Sequence, residues 1–131
     1  MDQPTYCKVF SEKTKCLGDY EKSCVNSEAF SKAFGINARE SMEFLVMEYF
    51  SQYMCKDNKN WPKTQCKIDN SLLVNGCSNL QSTTSGCEFV SSALKCIDDG
   101  MTQQCNDKEF VKYMSNGFRY VFQKVVPQCN L

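Results

Sequence analysis

The stretch Asn37-Ala38-Arg39-Glu40-Ser41-Met42-Glu43-Phe44-Leu45-Val46-Met47-Glu48-Tyr49-Phe50-Ser51-Gln52-Tyr53 decides the fold class. Asn37 with Glu40 three residues on has the form of a capping box, in which each side chain satisfies an amide that the first helical turn leaves open. Behind it Met42, Leu45, Val46, Tyr49, Phe50 and Tyr53 recur at helical spacing and form one unbroken apolar stripe. The same logic reads outward along the chain. Asp107 opens a second helix whose Phe110, Met114, Phe118, Val121, Phe122 and Val125 share a face, and Pro127 stops it. Further helices are predicted over about 5–22, 27–34, 67–74 and 82–103, the second of them ending before Gly35. No stretch alternates apolar and polar residues between hairpin turns. The fold class is all-α.

Ten cysteines accompany this pattern, at 7, 16, 24, 55, 66, 77, 87, 96, 105 and 129, and histidine is absent. No Cys-x-x-Cys pair occurs, so neither a zinc knuckle nor a thioredoxin-type redox site can be built locally. An even number of widely spread cysteines in a small chain reads as five disulfides and an oxidising compartment. Cys7, Cys16, Cys24, Cys55, Cys66, Cys77, Cys87, Cys96, Cys105 and Cys129 are therefore all expected in bridges. Ten cysteines allow roughly 945 pairings. Two cysteines nine apart on one straight helix lie about 13 Å from each other, beyond the reach of a disulfide, which disfavours Cys7–Cys16 and Cys87–Cys96. An antiparallel hairpin instead brings its outer cysteines together, so Cys7–Cys55 and Cys87–Cys129 are the expected pairs.

Comparing the chain with itself at an offset of 80 residues suggests a repeat. Cys7 falls on Cys87, Lys15-Cys16 on Lys95-Cys96, Asp19 on Asp99, Asn26 on Asn106 and Phe30 on Phe110, and after a contraction Cys55 falls on Cys129. The reading is a single domain over 1–131, built from two four-cysteine helical hairpins at 7–55 and 87–129. A segment at 56–86 that holds Cys66 and Cys77 joins them.

Composition narrows function. Fifteen basic and fifteen acidic residues cancel, and they also cancel within each half of the chain. A nucleic-acid binder needs a basic excess or stripe, and none is present. No apolar run approaches the roughly 20 residues that span a bilayer. Met1-Asp2-Gln3-Pro4 reads as an initiator methionine on a mature N-terminus, with an export signal expected to have been removed. Asn-x-Ser/Thr is absent, so N-glycosylation is not expected.

Without histidine, phospholipase A2 chemistry, histidine-pair ribonucleases and hydrolases with a histidine base are all excluded. Carboxylate-only catalysis would have to use Glu40, Glu43 and Glu48 on one helix or Asp98-Asp99 on another. A glycosidase needs two carboxylates facing each other across a cleft, which spacing along one helix face does not supply. EF-hand spacing is also missing. A non-enzymatic protein without cofactor or metal is expected.

Two binding candidates follow. The segment Lys56-Asp57-Asn58-Lys59-Asn60-Trp61-Pro62-Lys63-Thr64-Gln65 lies between Cys55 and Cys66 and carries the only tryptophan. Trp61 with Lys59 and Lys63 makes a recognition tip whose pinned ends lower the entropy lost on binding, unless Trp61 folds back as a core plug. Methionines 42, 47, 54, 101 and 114, with the phenylalanines, could alternatively line a cavity for a lipid, although their spacing is also that of an ordinary core.

The order of widely spaced cysteines on helices, with Lys15-Cys16-Leu17 and Lys95-Cys96-Ile97 at matching places, resembles cysteine-rich helical secreted domains of nematodes and molluscs. It departs from saposins and insect odorant-binding proteins, whose cysteines include closer pairs. The resemblance implies a secreted helical fold and carries no functional residues. The functional expectation is a secreted protein that binds an extracellular protein or receptor. The alternative is a carrier of a small apolar ligand, which a cavity of about 300 Å³ or more between helices would favour.

Overall fold

The computed structural model describes residues 2–57, 60–77 and 86–131. The described residues are helical or irregular and contain no strand, as the periodicity required. The chain divides into two compact units, Met1–Lys59 and Asn60–Leu131.

In the first unit α1 (Gln3–Leu17) starts on Asp2, whose side chain accepts from the Thr5 N–H at 2.9 Å, with Pro4 in the first turn where no amide is needed. Gly18 ends it at φ +52°, and a 3₁₀ turn leads into the short α2 (Glu21–Cys24). Asn26 caps α3 (Ser27–Phe34) by accepting from the Ala29 N–H. Gly35 then takes the left-handed conformation, φ +63°, that ends helices readily only with glycine. The chain restarts at once as α4 (Ala38–Gln52), where both hydrogen bonds of the Asn37–Glu40 capping box are present. A π turn over Tyr53–Asp57 carries Cys55 to its bridge with Cys7 on α1. Phe10, Leu45 and Tyr53 are buried, and Ser27 donates to the buried Ser41 to join α3 and α4.

In the second unit α5 (Asn70–Cys77), α6 (Cys87–Gln104) and α7 (Lys108–Val125) enclose Leu73, Val90, Leu94, Met101 and Val121. Asp107 caps α7 as its sequence position required, and the helix ends two residues before Pro127. Ser115 donates to Asp98 at 2.6 Å, tying α7 to α6. Three bridges staple this unit: Cys66–Cys105, Cys77–Cys96 and Cys87–Cys129.

Two sequence expectations need correction. Eight cysteines are paired rather than ten, and Cys16 and Cys24 are exposed thiols. Cys7–Cys55 and Cys87–Cys129 pair as hairpin geometry suggested, but the repeat is not confirmed beyond that outer pair. Cys96 bonds Cys77 and Cys105 bonds Cys66, whereas their counterparts Cys16 and Cys24 form no disulfide. The physical difference is local: α7 is one helix of 18 residues, but the matching stretch of the first unit breaks at Gly35 into α3 and α4. Finally, Cys66 and Cys77, expected in the segment that joins the hairpins, bond Cys105 and Cys96 inside the second unit.

Candidate functional site: an apolar groove in the first unit

Three helical stripes of the first unit converge on one groove of about 720 Å³. From α1 come Tyr6, Val9-Phe10, Lys13 and Leu17, spaced so that all point one way. From α3 come Ala29-Phe30 and Ala33-Phe34, one turn apart. From α4 come Phe44, Met47-Glu48 and Ser51. Phe30, Phe34 and Phe44 form an aromatic wall, with ring centroids 5.5–6.2 Å apart. Such spacings are favourable for tilted and offset rings. The wall is open to solvent, Phe34 being 60% and Phe44 47% exposed, while Val9 at 55% and Met47 at 65% stand on the rim. Two small residues, Ala29 and Ala33, leave the space that larger side chains on α3 would fill.

The sequence stripe on α4 and the groove are different faces of the same helix. Leu45 and Tyr53 of the predicted stripe are buried, while Phe44 and Met47, off that stripe, look into the groove. The missed signal was there: α4 is apolar beyond the width that one core contact needs.

Polar groups in the groove are few. Lys13 makes an ion pair and hydrogen bond with Glu48 Oε2, and its ammonium also lies 4.6 Å from the centre of the Phe10 ring. Glu48 Oε1 is buried and has no hydrogen-bond partner. Tyr6 and Ser51 share a hydrogen bond of 2.6 Å, and Ser51 donates to the Met47 carbonyl at 2.8 Å. Cys24, one of the two free thiols, also borders the groove.

The other candidates lie elsewhere. Trp61 is half-buried in the second unit, neither a free tip nor a fully buried plug, and Lys63 is exposed. Lys59 lies outside the described residues. None of the three borders the groove. Of the methionines, Met47 does, whereas Met101 is fully buried core. The carboxylates are engaged separately: Glu40 in its capping box, Glu43 with Arg39, Glu48 with Lys13, Asp98 with Ser115 and Arg119, and Asp99 with Lys95. Among the described residues no group of three histidine, cysteine or acidic side chains could hold a metal ion, and no helix is long and apolar enough to cross a membrane. No protein-family model, curated protein or solved structure matches the chain.

Proposed function

We propose that this is a secreted, non-enzymatic binding protein whose first unit holds the apolar chain of a small ligand between α1, α3 and α4. The groove carries this reading: its volume falls in the roughly 300–1,000 Å³ typical of small-molecule sites, and its walls are predominantly apolar. A filled core would have left no such space. Four disulfides fit an oxidising, extracellular setting.

The test is binding of an environment-sensitive naphthylamine dye to the intact chain, with native mass spectrometry of protein purified from its own source. Saturable dye binding, lost when Ala33→Trp fills the groove in a protein that keeps its helical circular dichroism, supports the reading. Absence of saturable binding by wild type, or equal binding by the filled variant, sinks it.

A protein partner is the second reading, and the exposed rim favours it. Val9, Phe34 and Met47 are exposed at the mouth of the groove on one unit, and an exposed apolar patch of this kind is also what an extracellular protein or receptor would cover. Pull-down from extracellular material with wild type and with Ala33→Trp separates this from ligand carriage, since a partner that covers the rim should still be captured when the groove is filled.

A further inference from the structure

We infer that the groove selects a ligand of the long-chain alcohol class, an apolar chain with one neutral hydroxyl, and that Lys13 and Glu48 impose this choice. The inference rests on the groove being a ligand site.

The polar atoms of the groove carry the argument. Its two charged side chains are one ammonium and one carboxylate, already bonded to each other, so the groove presents no net charge. An anionic head drawn to Lys13 would stand against the Glu48 carboxylate that Lys13 holds. A cationic head drawn to Glu48 would meet Lys13 in the same way. Where the ligand's chain displaces water from the groove, its apolar surroundings screen such repulsion less than water does. The two hydroxyls offer an anion no help either. Ser51 donates to the Met47 carbonyl, which makes Tyr6 the donor in the Tyr6–Ser51 bond, and both protons are spent within the protein.

One acceptor at the groove wall is unspent, and the carboxylate must turn to present it. Glu48 Oε1 is buried and lacks a hydrogen-bond partner, a condition that is unfavourable to leave uncorrected. An ammonium has three donors, and Lys13 spends one on Glu48. A hydroxyl is both donor and acceptor, so one neutral head can give its proton to the Glu48 carboxylate and accept from Lys13. The carboxylate turns about a soft terminal torsion, so meeting the head needs no backbone change.

Dodecanol, dodecanoate and dodecylamine, tested at neutral pH as competitors of the bound naphthylamine dye, share one chain and differ in head. Dodecanol should displace the dye at concentrations at least about tenfold lower than either ion. Glu48→Gln leaves Lys13 without its counter-charge and should move dodecanoate to first place. Lys13→Met should do the same for dodecylamine. The exchanged pair, Lys13→Glu with Glu48→Lys, should restore the alcohol. Helical circular dichroism like that of wild type shows that each variant is folded, the dye's own affinity is measured anew for each, and the exchanged pair serves as the control if a single variant is not folded. Equal displacement by all three heads in wild type, or an unchanged ranking in both single variants, overturns the head-group assignment while leaving the groove as an apolar site. Failure of the dye to bind wild type removes both.

Discussion

A Cβ added to Gly100 of α6 would stand 2.6 Å from Cδ2 of Leu73 on α5. The tip of the Leu73 side chain therefore occupies the space that a methyl group on α6 would take, at a place where Leu73 is buried. Gly76 on α5 is the opposite case, since a Cβ there meets nothing within 4 Å.

The two glycines should thus respond with opposite signs to the same substitution. Gly76→Ala should stabilise by about 0.5–1 kcal/mol through helix propensity alone. Gly100→Ala gains the same propensity but must push Leu73 from its place, and overpacking of this kind costs about 1–3 kcal/mol. Urea unfolding of both variants beside wild type checks the pair. A stabilised Gly100→Ala would mean that Leu73 has room to turn away.

Thiol chemistry should find two reactive groups in the folded, unreduced protein. Alkylation without reductant should label Cys16 and Cys24 alone, and the unreduced mass should lie about 8 Da below that of the fully reduced chain, two hydrogens for each of four bridges. Serine at both free positions should be tolerated. Serine at Cys7 opens a bridge between residues 48 apart and should cost about 2–4 kcal/mol. A mass 10 Da below the reduced chain, with nothing alkylated, would restore a fifth bridge.

Asp107 should make the second unit sensitive to acid. The Phe110 N–H and then the Thr64 hydroxyl, both bonded to its carboxylate, hold its pKa below the ordinary value. A carboxyl with a depressed folded pKa contributes stability in full above its unfolded value, about 3.9, and loses it as pH falls through the lower folded one. The gap in melting temperature between wild type and Asp107→Ala should therefore be constant near neutrality and narrow below about pH 4. A gap independent of pH would show that the cap works without its charge.

Trp61→Ala should separate the two binding candidates that the sequence raised. Trp61 is half-buried in the second unit and does not line the groove. Truncation should cost about 1–3 kcal/mol, less than the ~3–5 of a fully buried aromatic. Dye affinity should be unchanged. A variant that melts like wild type yet fails in pull-down would return Trp61 to the list of recognition residues.

Much of the fold could be read because helix ends announce themselves chemically. Asn37 with Glu40, Asp107, Gly35 and Pro127 each mark a boundary through a hydrogen bond made or a conformation refused. The groove could not be read in the same way. Phe30, Phe34 and Phe44 lie at spacings that serve a closed core equally well, and helical periodicity does not say whether another element covers a stripe. Nor could periodicity reveal that Cys16 stays unpaired while Cys96, in a nearly identical local setting, finds Cys77 on a neighbouring helix. Pairing depends on which cysteine the tertiary fold brings near.

Every bridge closes within one unit: one in the first and three in the second. This changes oxidative folding as a search problem. A chain that mixed all ten cysteines would face about 945 full pairings, whereas the six of the second unit on their own face about 15. Domains generally form in the order in which they are synthesised. The first unit can therefore settle Cys7 on Cys55 among its own four cysteines, without drawing on the six that close the second.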